Sequence, residues 1–419
     1  MLAMVRIGAS MLATAVCLVA AGCSSGADHA VIHVDHAVAL ADQAVHLTVT
    51  GLKSHAKVSV GAEAVDQDGK KWHGEASFTA DDHGTIDLDR AKPSAGSYQN
   101  TDGMGLFWSM NPPDGDPDAQ SYVPPDEDGR PVEHLDVFVR NDSKEIVRTT
   151  LTRQWVGPGV TTRPVSLAKD KVSGMYVAPP PDHAKHPAVL VFGGSEGGLA
   201  LLSTADLLAS RGYPALTVAY FHAPGLPTDL RNIPLEYFAS AARLLARQPG
   251  VDPNRVIVLT ASRGTEAALL LCQNFPSLVH GAVLYAPSAV IHASFPIRNG
   301  SAWTLHGQPL PEDLIPVDHV DGPVLAVAGT DDLLWLSNPA ASLIVAKLDQ
   351  AGKRFRHEAL VVPNAGHGVG GAPYLPHGTS VMHPVTGQLL PLGGTRAANE
   401  TALRQGWTRV LALLASLQH

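Results

Sequence analysis

The stretch VLTASRGTEAALLL (residues 258–271) decides the fold, because it passes from a strand pattern to a helix pattern across one short turn. Val258 continues an apolar run typical of a buried strand, and Ala267 begins an apolar run typical of a packed helix. Ser262 occupies the turn between them. Gly264 follows it and leaves room where strand and helix nearly touch. The stretch therefore predicts a strand, a tight turn and a helix, with a serine at the turn.

This arrangement is the nucleophile elbow of α/β-hydrolases, in which the serine oxygen stands clear of the sheet to attack a carbonyl carbon. Thr260 occupies the position where the motif usually has its first glycine. A serine between a strand and a helix is also a common N-cap. The motif alone therefore leaves both interpretations of Ser262 open, and the rest of the chain must supply a base and an acid.

Strand and helix patterns alternate through the second half of the chain. This alternation predicts βαβ units and a mainly parallel sheet covered on both faces, in an α/β-hydrolase domain over residues 156–419. The strand patterns are HPAVLVF, YPALTVAYF, RVIVLTA, GAVLYAP, GPVLAVAG and EALVV, and the main helix patterns are LLSTADLLASRG, PLEYFASAARLLARQ and TEAALLLCQ.

Candidates for the acid and the base follow Ser262 in the order that this fold uses, serine, aspartate, histidine. Asp331 and Asp332 end one predicted strand, and His367 follows the next. We expect Asp332 to be the acid, because it stands three residues after Gly329, as in the usual Gly-x-x-Asp loop. Asp331 would then brace the loop. The sequence predicts a triad of Ser262, His367 and Asp332.

An oxyanion hole needs two backbone N–H groups aimed at the developing negative oxygen. Arg263, directly after the nucleophile, is the first candidate. The second is Gly194 or Ser195, in the glycine-rich turn FGGSEGG. These glycines could also cradle a phosphate, but the turn lacks the Gly-Lys-Ser/Thr ending that such loops require.

Alternation with a period of two residues marks the first half of the chain as β structure. Val45, Leu47 and Val49 alternate with polar residues, and Leu135 and Val137 repeat the pattern. Turn signals interrupt the region at short intervals. The sequence predicts an N-terminal Ig-like β-sandwich domain over residues 31–155.

The first residues resemble an export signal of the lipoprotein type. One basic residue, Arg6, precedes an apolar run that ends in VAAGC, which resembles a bacterial lipobox. We expect residues 1–22 to be removed, Cys23 to be lipidated, and residues 23–30 to form a stalk. The protein would then be anchored to the outer face of the bacterial cell membrane. Plain secretion and a retained signal anchor are the alternatives.

Charge and composition exclude several classes of function. The net charge of -9 supplies no positive field for a nucleic acid backbone. His29, His33 and His36 cluster near the predicted stalk, but no HExxH motif or paired cysteine ligands occur, so we predict no metal and no cofactor. Cys272 would be the sole cysteine of the processed chain, which excludes an intramolecular disulfide there and indicates a packed core thiol.

The chain as a whole resembles the acyl-CoA thioesterases and bile acid-CoA:amino acid N-acyltransferases. The resemblance lies in DLDRAKPSAGSYQNTDGMGLFWSMNP in the first domain and in VFGGSEGGL, SRG, GTDDLLW, AGH and PLGGTRAANETALRQGWTRVLALL in the second. It implies an activated acyl substrate and the triad Ser262, Asp332 and His367. Acyltransferase members of this family carry cysteine as the nucleophile, so serine implies water as the acyl acceptor.

Three hypotheses follow. The first is a serine hydrolase that cleaves acyl thioesters or esters; the second is an acyltransferase that passes the acyl group to an amine or lipid of the cell envelope. The third is a binding lipoprotein with a degenerate site, motivated by Thr260. Export would separate the protein from intracellular acyl-CoA, so envelope lipids and exogenous esters are also candidate substrates. The sequence leaves acyl length and oligomeric state open.

Overall fold

The computed structural model describes residues 29–352 and 354–418. The predicted export signal (1–22) and the predicted lipidation site Cys23 lie outside the described residues. Within the described ranges, no helix combines the length and the apolar character needed to cross a membrane.

The strands up to residue 154 form two sheets that are mainly antiparallel. One sheet has the order β1-β3-β6, and the other has the order β2-β10-β9-β4-β5-β7, with β8 paired to β9. A short helix, α1, and a 3-10 turn at Pro117–Ala119 interrupt them. The elements are β1 (Val31–Val34), β2 (Val38–Leu40), β3 (Leu47–Thr50), β4 (Lys57–Val65), β5 (Lys71–Thr79), β6 (Ile86–Asp87), β7 (Ala95–Gly96), α1 (Gly105–Trp108), β8 (Asp126–Glu127), β9 (Arg130–Asn141) and β10 (Lys144–Gln154).

Alternate side chains of these strands meet in one apolar core. Leu47 and Val49 of β3 are each 1% exposed, and Leu135 and Val137 of β9 are fully buried in the same cluster. Trp72 of β5 lies among them. The two-residue period therefore predicted the buried faces of these strands correctly, because each strand of a sandwich turns alternate side chains inward.

The second half of the chain is built on an eight-stranded sheet of order β11-β12-β14-β13-β16-β17-β20-β21. β12 pairs antiparallel with both of its neighbours, β11 and β14, and all the other pairs of the sheet are parallel. Its elements are β11 (Thr161–Val165), α2 (Leu167–Asp170), β12 (Ser173–Ala178), β13 (His186–Phe192), α3 (Leu202–Ser210), β14 (Ala215–Ala219), β15 (Ile233–Pro234), α4 (Leu235–Ala246), β16 (Val251–Ala261), α5 (Gly264–Asn274), β17 (Ala282–Tyr285), β18 (Trp303–Leu305), β19 (Gln308–Pro309), β20 (Val324–Gly329), α6 (Ser337–Gln350), β21 (His357–Val362), β22 (Ser380–Met382), β23 (Leu389–Pro391) and α7 (Arg396–Ser416).

Helices cover both faces of this sheet, as the apolar strand patterns predict. In β13, Val189 and Val191 belong to one core cluster, and Leu190 and Phe192 belong to another. The first cluster includes residues of α3 and α7, and the second includes residues of α4 and α5. Strands buried on both sides have no polar face, which explains their continuous apolar sequences. This three-layer arrangement is the predicted α/β-hydrolase architecture. Cys272 of α5 is fully buried, as predicted.

The carboxyl ends of parallel strands lie at one edge of the sheet, and the predicted site residues all follow such ends. The glycine-rich turn follows β13, Ser262 follows β16, Asp332 follows β20 and His367 follows β21. In open α/β sheets this edge is where ligands bind.

Polar contacts join the all-β unit to the hydrolase unit. The buried carboxylate of Asp42 accepts hydrogen bonds from Arg211 and from the indole of Trp407 in α7, each at 2.8 Å. The amide of Tyr122 donates to the carbonyl of Pro376 at 2.9 Å. The all-β unit therefore contacts the segment that runs from His367 toward β22.

Candidate active site

Ser262 adopts a backbone conformation that its surroundings enforce. Its φ of 54° lies in the left-handed region, which is costly for a residue other than glycine. The amide of Ser262 donates to the carbonyl of Tyr285 at 2.9 Å. The hydroxyl of Thr265 donates to the carbonyl of Ser262 at 2.6 Å. These bonds hold the sharp turn that a nucleophile elbow requires.

Gly264 and Thr260 show how the strand, the helix and the glycine-rich turn fit together. A Cβ at position 264 would lie 2.3 Å from the carbonyl oxygen of Gly193 and 2.1 Å from the Thr260 hydroxyl, so only glycine fits. The Thr260 hydroxyl donates to the same Gly193 carbonyl at 3.4 Å. Thr260, which departs from the usual motif, is thus fully buried and links β16 to the glycine-rich turn.

Asp332 and His367 are joined directly. Nδ1 of His367 donates to Oδ2 of Asp332 at 2.9 Å, and the Ser337 hydroxyl donates to the same oxygen at 2.6 Å. The amides of Leu334 and Trp335 donate to Oδ1 at 2.9 and 3.2 Å. Burial raises the pKa of Asp332, but the hydrogen bonds, first that from His367, outweigh burial and hold the pKa below its ordinary value. The carboxylate is therefore ionised and well placed to orient the imidazole.

Asp331 has the bracing contacts that the sequence suggests for it. Its side chain accepts a hydrogen bond from the Thr330 hydroxyl at 2.8 Å, and its amide donates to the carbonyl of Ala365 at 2.8 Å. These contacts tie the aspartate loop to the histidine loop. Asp332, rather than Asp331, is the carboxylate that meets His367.

The second ring nitrogen of His367, Nε2, can accept a hydrogen bond when the ring is neutral. With Nδ1 donating to Asp332, the neutral ring carries no proton on Nε2. This Nε2 is buried and makes no hydrogen bond with any described residue. Trp335 packs edge-on to the ring with centroids 5.3 Å apart. The Ser262 hydroxyl, at the same edge of the sheet and half-buried, likewise makes no hydrogen bond among the described residues.

The glycine-rich turn lies directly against Ser262. A Cβ at Gly194 would lie 2.8 Å from Cβ of Ser262. The Gly194 amide donates to a carboxylate oxygen of Glu196 at 2.9 Å. By contrast, the amides of Ser195 and Arg263 donate to no acceptor among the described residues. Of the three predicted oxyanion-hole residues, these two have free N–H groups.

Sequence reasoning gave Glu196 no role, although the glycine-rich turn that contains it is one of the stretches that resemble the family. Burial raises the pKa of its carboxyl, although hydrogen bonds from its own amide and from Gly194 act in the opposite direction. Glu196 thus adds a titratable group beside the elbow. Its main structural effect is to fix the turn by accepting the Gly194 N–H.

The side chain of Arg263 is held by a buried carboxylate. Glu266 in the first turn of α5 is fully buried and accepts hydrogen bonds from Arg263 Nε at 2.6 Å, His292 Nδ1 at 3.0 Å and Trp303 Nε1 at 2.8 Å. Arg263 also donates to the carbonyl of Ala293 at 2.9 Å. The network fixes the Arg263 side chain against the segment that follows β17. In the sequence, Glu266 resembles an ordinary acidic residue near a helix N-terminus.

His383, between β22 and β23, contacts the glycine-rich turn. Its Nδ1 accepts hydrogen bonds from the amides of Val385 and Thr386 at 3.3 and 3.4 Å, so the proton lies on Nε2. Nε2 therefore donates to the Ser195 hydroxyl at 3.1 Å. Burial lowers the pKa of His383, which favours this neutral form. No sequence motif indicates the contact, because the two residues lie far apart in the chain.

A group of side chains with the composition of a metal site lies elsewhere, in the all-β unit. Possible ligand atoms of His46, Asp87 and Asp89 lie within 4.8 Å of one another. His46 Nδ1 already contacts the Asp89 carboxylate at 2.5 Å. His33 and His36, of the histidine cluster noted in the sequence, do not belong to this group.

Comparison with known proteins gives matches along most of the chain. Residues 42–167 match the model of the acyl-CoA thioester hydrolase/BAAT N-terminal region. Residues 233–301 and 301–417 match that of the BAAT/acyl-CoA thioester hydrolase C terminal region. Acyl-coenzyme A thioesterase 6 of Mus musculus is 27% identical over 395 residues, which cover 88% of this chain and 92% of the mouse protein. The bile acid-CoA:amino acid N-acyltransferase of Mus musculus is 27% identical over 409 residues, which cover 90% of this chain and 95% of the mouse protein.

Among solved structures, a dienelactone hydrolase-like promiscuous phosphotriesterase from metagenomic libraries has a TM-score of 0.43 and 17% sequence identity. The match covers 62% of this chain and 99% of that protein.

Proposed function

Because the chain belongs to the family of acyl-CoA thioesterases and bile acid-CoA:amino acid N-acyltransferases, we propose that it is a serine hydrolase of acyl thioesters or esters. Its triad is Ser262, His367 and Asp332. The observation that carries the proposal is the hydrogen bond from His367 Nδ1 to Asp332, which leaves a buried, unprotonated Nε2 at the sheet edge that bears the Ser262 elbow.

In the first half of the reaction, Ser262 Oγ bonds to the carbonyl carbon of the substrate while its proton passes to His367 Nε2. The carbonyl π electrons move to the oxygen, which the N–H groups of Arg263 and Ser195 stabilise. When the carbonyl reforms, the bond to sulfur or to the ester oxygen breaks. The leaving thiolate or alkoxide takes the proton from His367, and the acyl group stays on Ser262.

In the second half, water takes the place of the leaving group. His367 Nε2 removes a proton from the water, whose oxygen bonds to the acyl carbon. Collapse of this intermediate breaks the bond to Ser262 Oγ, and His367 returns the proton to the serine. The products are a carboxylic acid and a thiol or alcohol. Ionised Asp332 stabilises the imidazolium in both halves.

Two measurements test the proposal. A fluorophosphonate probe should label wild-type protein at Ser262, and Ser262→Ala should lose both labelling and the release of thiol from an acyl thioester or alcohol from an ester. Ser342→Ala, at an exposed serine of α6, is the matched control and should retain both. Wild-type rates in purified Ser262→Ala on both substrate types would contradict the proposal.

Acyl transfer is the second candidate function, because a relative that is similar over 90% of this chain is named an N-acyltransferase. It would use the same acyl-enzyme, with an amine or lipid hydroxyl replacing water. Serine at position 262, rather than cysteine, favours water. Product analysis with candidate amines and lipids separates the two, since amide or ester products in excess of free acid would establish transfer.

The location of the enzyme is part of the proposal and is supported by sequence alone. We propose that the chain is exported and lipidated at Cys23, which would anchor it at the outer face of the cell membrane. Metabolic labelling with a fatty acid should mark the wild-type protein and leave Cys23→Ala unlabelled. Equal labelling of both would contradict this site of attachment.

A further inference from the structure

Exposed aliphatic side chains are concentrated at one edge of the hydrolase unit. From residue 156 onward, ten large hydrophobic side chains in the described part of the chain are exposed. Nine of them lie in loops and hairpins that follow the carboxyl ends of parallel strands, and the tenth lies in the second turn of α6. This is the edge that carries the proposed triad. Six of these side chains, which we call the apolar rim, come from four separate segments: Leu199, Ile297, Leu333, Leu336, Met382 and Leu389.

Contacts join the four segments of the apolar rim into one surface. The hairpin β22–β23 reaches the glycine-rich turn through the hydrogen bond from His383 to Ser195. The ring of His383 also lies 5.0 Å from that of Phe295, centroid to centroid, in the segment after β17. Directly after the hairpin, the carbonyl of Leu392 accepts from the amide of Leu333 at 3.3 Å. The rim therefore surrounds the triad on the turns that position it.

Three of the four rim segments carry no charge. Residues 197–203, 333–346 and 380–391 contain no aspartate, glutamate, lysine or arginine, although 16% of the whole chain is charged. The fourth segment carries Arg298, whose guanidinium pairs with Glu312 at 3.4 Å. A charged side chain must lose its water to enter an apolar phase, which is costly. The uncharged segments can enter such a phase without that cost.

A lipid bilayer fits this surface better than a second protein does. Protein interfaces surround an apolar centre with polar and charged residues. Here the order is reversed, because the outermost side chains are the apolar ones, with Leu336 and Leu333 78% and 65% exposed. The anchor proposed at Cys23 would also keep a bilayer close to the folded protein. Only residues 23–28 separate it from His29, a span of at most about 20 Å.

We propose that the apolar rim docks on the surface of a lipid bilayer, with its aliphatic side chains inserted among the lipids and the triad facing the membrane. The net charge of -9 opposes attraction to anionic lipids, so the rim binds by burying apolar surface. Binding therefore extends to bilayers without net charge and does not depend on salt. Docking brings the active site to compounds dissolved in the bilayer.

Vesicle binding without the lipid anchor tests the proposal. The test protein is the predicted mature chain, residues 23–419, with Cys23→Ser, which keeps every described residue and carries no lipid. It should co-sediment with phosphatidylcholine vesicles equally well at about 0.1 and 0.5 M salt. Leu336→Glu and Met382→Glu, in two different segments, should each weaken binding by about tenfold or more, because each replaces an inserted side chain by a carboxylate. Both positions are exposed, so both variants should keep the wild-type midpoint of denaturant unfolding.

Ala412→Glu is the matched control, because Ala412 is exposed on α7 beside Pro323 and Val324, at the amino end of β20. It should bind vesicles as wild type does, and so should Ser262→Ala, since docking needs no catalysis. Three results would overturn the proposal: no binding to phosphatidylcholine, binding that is lost at the higher salt, or equal losses in all three glutamate variants. A dimer that Leu336→Glu dissociates, without vesicle binding, would overturn it in favour of a second copy of this chain. Binding that depends on the rim supports docking even where Cys23 carries no lipid and no ester is hydrolysed.

Discussion

His367 Nδ1 donates to Asp332 Oδ2 at 2.9 Å although the two residues are separated by 35 positions in the chain. The same carboxylate accepts hydrogen bonds from Ser337, Leu334 and Trp335. Four donors hold the carboxylate in one orientation, so the imidazole is fixed by a rigid partner. The consequence for catalysis is that the tautomer of His367 is set before a substrate arrives.

Replacing Asp332 by asparagine should therefore abolish most of the turnover. Asparagine retains the volume but loses the charge, and its amide nitrogen favours the wrong tautomer of His367. We expect kcat for thioester or ester hydrolysis to fall by about 10,000-fold. Asp331→Asn, one residue away at a side chain that bonds to Thr330 rather than to His367, is the control and should remain within a few fold of wild type. Equal losses in the two variants would show that Asp332 does not act through the histidine.

The parts of this site that could be predicted are those fixed by one strand and the turn after it. Ser262, Asp332 and His367 each follow the carboxyl end of a parallel strand, where the strand pattern is continuous and apolar. Strand order and the parallel sheet then bring them to a single edge. The choice of Asp332 over Asp331 came from its spacing to Gly329, and the hydrogen bond to His367 agrees with that choice.

The parts that could not be predicted depend on contacts between distant segments. His383 reaches Ser195 from a hairpin with no motif, and the GTDDLLW stretch does not indicate that Trp335 packs on His367. Glu196 contacts a residue only two positions away, but nothing in a glycine-rich turn indicates which amide a carboxylate will bind. Such contacts are set by tertiary packing, which local patterns do not encode.

Glu196 should be needed to hold the glycine-rich turn. Glu196→Ala leaves the buried Gly194 N–H without its acceptor, which should lower the free energy of unfolding by about 1–3 kcal/mol. Glu196→Gln keeps an acceptor oxygen and should lower the free energy of unfolding by less.

The same substitution should also affect catalysis. If the turn in Glu196→Ala moves the Ser195 N–H, kcat should fall toward the roughly 100-fold loss typical of one missing oxyanion donor. Denaturant unfolding and steady-state kinetics measure the two effects; equal stability of the alanine and glutamine variants would contradict the role of the acceptor.

The contact between His383 and Ser195 should be energetically coupled. His383→Ala and Ser195→Ala each remove one side of the same hydrogen bond. The double variant should therefore lose less than the sum of the single losses in kcat/KM, with a coupling free energy of about 1 kcal/mol. Measuring kcat/KM on one substrate for wild type, the two single variants and the double variant gives this coupling free energy. Additive losses would mean that the hairpin acts on the site by another route.

Glu266 should contribute strongly to stability, because it neutralises the Arg263 side chain in a site from which solvent is excluded. Glu266→Leu leaves that cation without its carboxylate and should lower the free energy of unfolding by about 3–5 kcal/mol. The double variant Arg263→Met, Glu266→Leu removes both charges and should recover part of the loss. Denaturant unfolding should rank wild type as the most stable protein, the double variant next and Glu266→Leu last. A double variant less stable than Glu266→Leu would contradict the prediction.

Glu400 of α7 should make stability fall as the pH rises. Burial raises the pKa of its carboxyl to about 8, from an ordinary value of 4.5. Between these values the folded protein holds a proton that the unfolded chain releases, so the free energy of unfolding decreases with increasing pH. Glu400→Gln stays neutral, and its side-chain oxygen can still accept from the Tyr374 amide. The Tm of this variant should therefore fall less than that of wild type between pH 4.5 and 8.

Glu133 and Asp206, whose pKa burial raises to about 7, also make stability fall with pH, by the same amount in both proteins. The difference between the two Tm profiles therefore isolates Glu400. Parallel profiles would show that its carboxyl does not hold a proton in the folded state.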